Sequence, residues 1–388
     1  MSHSPSVRLG IIGIGNMGSI HARSILDGKV PGLELAALAD RNAERLAPFE
    51  DLGQSVERFE EGSDLIASGK VDAVLIATPH YDHTTLGIAA LQAGLHTLVE
   101  KPISVHKADC ERLIGAWTDK RLVFAAMFNQ RTDPSYQKLR QLIQDGELGA
   151  IQRIDWIISD WYRTESYYRS GGWRATWAGE GGGVLLNQCP HNLDLLQWLF
   201  GMPSKITANC QFGRFHDIEV EDAVTALLEY PNGATGVFVT TTGEAPGTNR
   251  LEVAADRGKV VIENGKFSYT RTEQAVPEHL ETAQGGFEKP AVWNVEIPIS
   301  GKGEQHVGIM KNFTNAILKG EELLAPASEG IHSVELANAM LYSGFENRAV
   351  ELPLDGAAYE KILQEKIAHS TYKKPEVKEQ VANLEGTY

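Results

Sequence analysis

The feature that most constrains the fold is a glycine-rich turn between a short apolar segment and a helical pattern near the N-terminus. Val7–Ile12 runs directly into Gly13-Ile14-Gly15-Asn16-Met17-Gly18, a G-x-G-x-x-G sequence. In a strand–turn–helix unit these glycines allow a tight turn, close approach of a pyrophosphate and close helix–strand packing. The pattern predicts a dinucleotide site, with Gly13, Gly15, Asn16 and Met17 at the helix N-terminus that faces the phosphates.

An acidic residue after the next apolar segment indicates which dinucleotide binds. Asp40 follows Leu33–Ala39 and lies 22 positions after Gly18, close to the spacing of about 20 expected for a ribose-binding carboxylate. Such a carboxylate accepts hydrogen bonds from the ribose hydroxyls and repels a 2′-phosphate, so NAD is the predicted cofactor. Arg41 leaves NADP as the alternative, because a neighbouring arginine can accommodate that phosphate.

The first third of the chain alternates apolar segments with helical patterns. Further strands are predicted at Val71–Ala77, His96–Val99 and Leu122–Met127. Strands separated by helices are typical of βαβ units on a parallel sheet, and continuously apolar strands fit a sheet covered on both faces. The alternation ends near Met127, so residues 1–128 are predicted to form an NAD(P)-binding Rossmann domain.

After Met127 the apolar segments become longer and more alternating. Asp133-Pro134 begins a predicted helix that ends at Asp145-Gly146, and Pro231-Asn232-Gly233 is typical of a hairpin turn. Residues 129–388 are therefore predicted to form an α+β domain with a mostly antiparallel sheet and an extended charged tail after Ser370. The predicted strands are Ile151–Ile158, Lys205–Phe212, Ala223–Tyr230, Ala234–Thr241, Arg250–Ala255 and Gly258–Glu263, with helices near 190–200, 305–319 and 330–348.

Composition argues against several classes of partner. The 36 Lys+Arg against 51 Asp+Glu give a formal net charge of −15, whereas a nucleic-acid partner would require a clustered basic face. No apolar run approaches the roughly 18–20 residues that span a membrane, and no signal-peptide pattern is present. Cys110, Cys189 and Cys210 lie far apart, which fits reduced thiols in a cytoplasmic protein better than disulfides.

Two motifs follow the predicted strands of the first domain. Ala77-Thr78-Pro79 follows one buried strand and Glu100-Lys101-Pro102 follows the next. Ligands of open α/β sheets bind at these carboxyl ends, so Lys101 is expected on the cofactor edge. Taken alone, such a lysine is more often a solvated surface residue. His80 and His83 lie on the same edge, but no cysteine ligands accompany them and no metal is expected.

A third motif opens a helix in the second domain. Gly181-Gly182-Gly183 precedes an apolar helical pattern on which Asn187, His191 and Asp194 are spaced i, i+4 and i+7. This spacing places an amide, an imidazole and a carboxylate on one helical face. A lone histidine beside a helix is more often structural, but three polar groups on one stripe of an apolar helix favour a site.

The segment 156–177 supplies candidate substrate contacts. It holds four of the seven tryptophans together with tyrosines and arginines. Aromatic rings can stack on the apolar faces of a pyranose, and arginine and tyrosine can bind its hydroxyls. Trp161, Arg163 and Arg174 are therefore candidate substrate or nicotinamide contacts, although packing of a lid or interface explains any single residue equally well. The arginines leave an anionic sugar open as the substrate.

Taken in order, these motifs resemble the Gfo/Idh/MocA oxidoreductase family over nearly the whole chain. The matching segments are Gly13–Gly18 followed by His21, Ala77-Thr78-Pro79 with His83, Glu100-Lys101-Pro102, Phe128–Pro134 and Gly181–Asp194. The resemblance implies a Rossmann domain, a C-terminal domain with a large open sheet, and a substrate site in the cleft between them. It also implies homodimers or homotetramers that assemble through that sheet.

The resemblance further implies which residues act. The catalytic roles fall on Lys101 and His191, with Asn187 where many relatives carry aspartate, so any step that needs a carboxylate there is in doubt. The remaining expected cofactor contacts are Thr78, Pro79, His83, Glu100, Lys101, Asn129 and Arg174. The expected substrate contacts are Lys101, Trp161, Arg163, Asn187 and His191.

The predicted activity is hydride transfer between a secondary hydroxyl of a sugar or cyclitol and nicotinamide. Removing a hydride from a carbinol carbon requires a base for the hydroxyl proton, and an imidazole has a suitable pKa. His191 is the predicted general acid/base, and Lys101 is expected to bind the reacting oxygen. Two alternatives remain: an NAD-dependent glycosidase that oxidises its sugar transiently, and a non-catalytic NAD-sensing regulator.

Overall fold

The first sheet is parallel, and its strand order places the glycine-rich turn at its centre. The computed structural model describes residues 5–49 and 56–374. The strands of this sheet are β1 (Val7–Ile12), β2 (Leu33–Ala39), β3 (Glu57–Phe59), β4 (Ala73–Ile76), β5 (His96–Val99) and β6 (Phe124–Ala126). They lie in the order β3-β2-β1-β4-β5-β6, with every pair parallel. The chain order therefore reverses between β1 and β4, which is where such sheets bind nucleotides.

Helices cover this sheet and connect it to the rest of the chain. They are α1 (Asn16–Leu26), α2 (Gly62–Ala67), α3 (His80–Gln92), α4 (Lys107–Ala116) and α5 (Pro134–Gln144). The predicted start of α5 is confirmed, because the Asp133 carboxylate accepts the N–H of Ser135 at 2.8 Å and Pro134 lies in the first turn. Its predicted end is confirmed too, since Gly146 follows the helix with a left-handed φ of 71°. Here glycine avoids the steric cost of a Cβ.

The second sheet is mixed and mostly antiparallel. Its strands in the described part of the chain are β7 (Ile151–Ile158), β8 (Lys205–Phe212), β9 (Glu221–Glu229), β10 (Thr235–Thr241), β11 (Asn249–Ala255), β12 (Gly258–Glu263), β13 (Lys266–Thr272), β14 (Val292–Val295) and β15 (Val350–Glu351). The order is β14-β13-β12-β11-β7-β10-β9-β8-β15. β7 and β10 are parallel, whereas the other neighbours are antiparallel. The predicted fold class is confirmed.

The helices of the second half pack on this sheet and, in one case, on the first. They are α6 (Glu165–Arg169), α7 (Pro190–Phe200), α8 (Val276–Thr282), α9 (Gln305–Lys319), α10 (Gly330–Glu346) and α11 (Gly356–Ala368). α10 lies against β8 and α7, whereas α9 contributes Ile309, Met310 and Phe313 to the core around the parallel sheet. The C-terminal half of the chain thus completes the N-terminal core, and the division at residue 128 remains a prediction.

The sequence placed most elements correctly but missed four strands, three of which are short strands at sheet edges. The predicted segments Val71–Ala77 and Leu122–Met127 are longer than the strands found there, and β3, β13, β14 and β15 were not predicted. Residues 371–374 of the predicted tail carry no helix or strand, and the rest of the tail lies outside the described residues. Within the described ranges, no helix combines the length and hydropathy needed to cross a membrane.

Candidate active site

The carboxyl edge of the parallel sheet gathers the predicted cofactor residues. β1 ends at the glycine turn, β2 at Asp40, β4 at Ala77-Thr78-Pro79, β5 at Glu100-Lys101 and β6 just before Asn129. Parallel strands all present their carboxyl ends to one side, so five separate motifs of the sequence meet on a single edge.

The glycine turn fits a pyrophosphate. A Cβ on Gly13, which has φ of +93°, would lie 2.7 Å from the carbonyl oxygen of Ala77, and one on Gly18 would lie 1.9 Å from that of Gly13. Both positions therefore require glycine. A Cβ on Gly15 would meet no described atom within 4 Å, and Gly15 caps α1 without any side-chain cap hydrogen bond. The backbone at Gly15, Asn16 and Met17 thus offers an open helix N-terminus to an anion.

Asp40 links this turn to the expected ribose site. Its carboxylate accepts the N–H of Ile14 at 2.7 Å and that of Asn42 at 2.8 Å, and the Arg45 guanidinium lies 3.5 Å away. Arg41, the residue that left NADP as an alternative cofactor, has a side chain that is 76% exposed. Its Nε pairs with the Glu61 carboxylate at 3.1 Å. The arginine nearest to the carboxylate is therefore Arg45, a residue that the sequence did not single out.

Replacing Asp40 by asparagine is expected to lower the preference for NAD over NADP by about tenfold, because the repulsion of a 2′-phosphate is lost. The ratio of kcat/KM for the two cofactors measures this preference. The control is Arg41→Ala, which should change the ratio little because Arg41 pairs with Glu61. A native protein that prefers NADP tenfold would contradict the assignment.

Lys101 lies in a polar cluster at the end of β5. Its Nζ donates to the main-chain oxygen of Asn187 at 2.8 Å, so the lysine of the first sheet contacts the segment before α7. Neighbouring Glu100 bonds His21 at 2.6 Å. Burial raises the pKa of Glu100, but the hydrogen bond and charge of His21, with the charges of His306 and Lys101, lower it to about 2. Burial lowers the pKa of Lys101, Glu100 opposes this, and Arg174 adds to it.

His191 lies in the first turn of α7 and is 3% exposed. Its Nδ1 is buried without a hydrogen-bond partner among the described residues, and Phe128 packs edge-on at 6.4 Å between ring centroids. Burial, then the charges of Lys101 and His306, lower its pKa well below the ordinary value. The ring is therefore neutral near pH 7 and can accept a proton.

Asn187 connects Lys101 to the aromatic segment. Its Oδ1 accepts from the hydroxyl of Tyr167 at 3.1 Å, and its Nδ2 donates to Glu180. The Tyr167 oxygen in turn accepts from Arg174 at 3.0 Å and from Gln188 at 3.1 Å. Asn187, at the position where many relatives carry aspartate, therefore contributes an amide to a hydrogen-bonded network that also contains the carboxylate of Glu180.

The structure divides the tryptophan-rich segment into core and cleft residues. Trp156 and Trp177 are buried in the second core, so they are not site residues. Trp161 is half-buried and donates to Asn192 at 3.3 Å. Arg163 lies over the Trp161 ring at 5.6 Å, and its Nε is buried with no partner among the described residues. The charges of Arg174 and Arg163 lower the pKa of Lys101, so both guanidinium groups act electrostatically on the lysine.

The remaining predicted cofactor residues form the wall between the turn and Lys101. Thr78 Oγ1 and Asn129 Oδ1 are buried without partners in the described part of the chain. Pro79 caps α3, and the His83 ring lies between the carbonyl oxygens of Thr78 and Pro102 at 2.8 and 2.7 Å. Polar atoms left unpaired in a buried cleft are costly, so they indicate a polar ligand.

Sequence reasoning missed several residues of the site. The ring of His306, a residue of α9, lies 5.4 Å from that of His21 between centroids. In the sequence, however, His306 comes about 200 positions after Lys101. Nothing local marks such a residue. Glu180 did carry a signal, because it directly precedes the three glycines, but that motif drew attention only to the residues after it.

A parallel sheet with a glycine turn at its centre, and a lysine and imidazole in the adjoining cleft, define a Rossmann-type oxidoreductase. Comparison with protein families agrees. The model of the oxidoreductase family NAD-binding Rossmann fold matches residues 7–128, and that of the GFO/IDH/MocA C-terminal domain matches residues 136–261. The chain belongs to the Gfo/Idh/MocA family and is an NAD-binding oxidoreductase, which confirms the predicted family, cofactor and enzyme class.

Known relatives cover most of the chain at low identity. The inositol 2-dehydrogenase of Rhizobium meliloti is 24% identical over 89% of this chain and 99% of its own. The levoglucosan dehydrogenase of Pseudarthrobacter phenanthrenivorans is 24% identical over 90% and 98%. Among solved structures, the WlbA dehydrogenase of Bordetella pertussis in complex with NADH and UDP-GlcNAcA superposes with a TM-score of 0.75, at 26% identity over 90% of this chain and 100% of that one.

Proposed function

We propose that this protein is an NAD-dependent dehydrogenase that transfers a hydride between nicotinamide and a secondary hydroxyl of a sugar or cyclitol. The observation that carries the proposal is the contact between Lys101 Nζ and the main chain of Asn187, four residues before His191. It brings an ammonium from the cofactor edge to the segment before α7, the helix whose His191 Nδ1 is buried without a hydrogen-bond partner among the described residues. An acid and a base thus meet beside the expected nicotinamide position.

Each residue has a distinct part in the proposed mechanism. Bound NAD supplies the hydride acceptor, nicotinamide C4. His191 is neutral near pH 7 because its pKa is lowered, so it accepts the hydroxyl proton as the hydride leaves the same carbinol carbon. Lys101, as an ammonium, donates a hydrogen bond to the reacting oxygen and stabilises the negative charge that develops there. In the reverse direction His191 returns the proton.

The cleft chemistry supports a polyhydroxylated substrate. Trp161 presents a half-buried ring, and Arg163 and Arg174 offer donors beside Lys101. These groups suit stacking on a sugar face and hydrogen bonding to its hydroxyls. The names of the relatives, inositol and levoglucosan dehydrogenases, support the same substrate class, whereas none of those named above is a glycosidase. Two arginines next to Lys101 also suit a sugar that carries a carboxylate or phosphate.

A substrate panel tests this proposal. The protein is incubated with NAD and with inositols, anhydrosugars, free hexoses, uronates and aryl glucosides, while NADH absorbance and aglycone release are followed together. NADH formation with a sugar or cyclitol and no aglycone release is the expected result. Aglycone release without net NADH would replace the proposal by the glycosidase alternative, and the absence of both would favour the regulator.

We also propose the organisation that the family resemblance implies. In this proposal residues 1–128 bind the cofactor, and residues 129–388 bind the substrate and assemble the protein, as a homodimer or homotetramer in the cytoplasm, through the second sheet. The exposed side chains of Ile157 and Leu227 on that sheet support the assembly. Sedimentation equilibrium should give a mass of two or four 42.5 kDa chains; a monomer would refute this arrangement.

A further inference from the structure

Glu180 is a buried carboxylate that the proposed mechanism does not use. Glu180 is only 1% exposed. One oxygen accepts the N–H of Ala175 at 2.6 Å, and the other accepts from Nδ2 of Asn187. Among the described residues, no lysine or arginine lies within ion-pairing distance of it. Burial raises the pKa of Glu180, whereas the charge of Arg174, the two N–H donors and the charge of Lys374 oppose this. A buried carboxylate without an ion pair is costly, so its presence beside the site calls for a functional reason.

Asn187 connects Glu180 to the lysine. Its side-chain amide donates to Glu180, while its main-chain oxygen accepts from Lys101 Nζ at 2.8 Å. The amide can donate to Glu180 and accept from Tyr167 in only one orientation. Glu180 therefore fixes the side chain of Asn187 and, through Tyr167, the position of Arg174.

Lys101 lies in surroundings that disfavour its charge. Burial lowers its pKa, and the nearby Arg174 and Arg163 lower it further. The anions that oppose this are Glu100 and Glu180. The other titratable groups that face Lys101 are His80, Cys189, His191 and His306. Glu100 has the larger effect of the two on the pKa of Lys101 and is bonded to His21. Glu180 is the second anion, and Asn187 connects it to the lysine.

We propose that Glu180 is a positioning residue that orients Asn187 and, together with Glu100, supplies the negative charge that keeps Lys101 an ammonium during turnover. The part that concerns turnover rests on the proposed function. The electrostatic part concerns only residues of this chain and is measurable without substrate. The chain through Gly181-Gly182-Gly183 brings Glu180 back into contact with Asn187.

The experiment is competitive acetylation of Lys101 with acetic anhydride across pH 6–11, read by peptide mass spectrometry on the NAD-free and the NAD-bound protein. In Glu180→Gln the midpoint for Lys101 should fall by about one pH unit, the order of shift expected on removing one negative charge from the surroundings of a buried lysine. The basic limb of kcat/KM for the sugar should fall by the same amount. A purely structural role would leave both midpoints unchanged.

The matched control exchanges the two side chains. The double variant Glu180→Gln, Asn187→Asp keeps one amide and one carboxylate in the same contact, with the hydrogen bond reversed and the charge retained. Its Lys101 midpoint should lie within a few tenths of a unit of the native value, and it provides the test even if the single variant does not fold. An unshifted midpoint in Glu180→Gln, or a lowered one in the exchange variant, would overturn the inference. A shifted midpoint in a protein without sugar oxidation would overturn only the proposed function.

Discussion

Replacing Lys101 or His191 by alanine is expected to lower kcat for sugar oxidation by about 10²–10⁴-fold, the usual contribution of a positioned acid or base. NAD affinity should change little, because the glycine turn and Asp40 lie at the ends of β1 and β2, away from the lysine. Steady-state rates, together with NAD titration by fluorescence, separate the two effects. Unchanged turnover in both variants would refute the assignment.

The pH profile of the native enzyme provides an independent check on the same residues. Because the pKa of His191 is lowered, the acid limb of kcat/KM should lie below the ordinary histidine value of about 6.5. Because the pKa of Lys101 is also lowered, the basic limb should lie below the ordinary lysine value of about 10.4. His191→Ala should remove the acid limb, and Lys101→Ala the basic limb. The double variant should lose little more than either single variant, since the two residues act on one proton and one oxygen.

The fold was predictable because its determinants are local. Short apolar runs such as those of β1 and β2, bounded by turn and helix signals, are typical of buried strands, and the glycine turn is followed by a helix. The limits of the prediction have a physical origin as well. β13 alternates weakly, with mostly half-buried side chains, and the edge strand β14 is mostly exposed. A short edge strand has one paired side, so its sequence is weakly constrained.

The site residues that lie in motifs at strand ends could be predicted from the sequence. Those brought in from distant segments of the chain could not. Lys101 and Asp40 could be placed because parallel strands share one edge. His306 reaches the cluster only through the packing of α9 on the first core, which no local pattern encodes. Trp156 was misleading in the opposite sense, since its position in an aromatic segment suggested the cleft, whereas alternation along β7 directs it into the core.

Replacing Arg131 by alanine is expected to destabilise the protein by about 3–5 kcal/mol, the usual cost of leaving a buried charge unpaired. Arg131 follows β6, and its guanidinium binds both oxygens of Asp194, with Nε at 2.7 Å and Nη2 at 2.6 Å. The two side chains are 0% and 1% exposed. Its Nη1 also donates to the main-chain oxygen of Leu324 at 3.0 Å. This single side chain therefore ties α7, and with it His191, to the parallel sheet and to the segment before α10.

The variants should separate a structural role of this pair from a catalytic one. Asp194→Ala should destabilise less than Arg131→Ala, because Arg131 keeps Glu329 at 2.6 Å. Arg131→Met with Asp194→Leu should recover much of the loss, because the one carboxylate left without its partner, Glu329, is 41% exposed. Arg121→Ala is the surface control, since its pair with Asp119 is exposed and should contribute less than about 1 kcal/mol. Urea unfolding followed by tryptophan fluorescence measures the differences. If Arg131→Ala has the same urea midpoint of unfolding as the native protein, the contact of Arg131 with Asp194 does not contribute to stability.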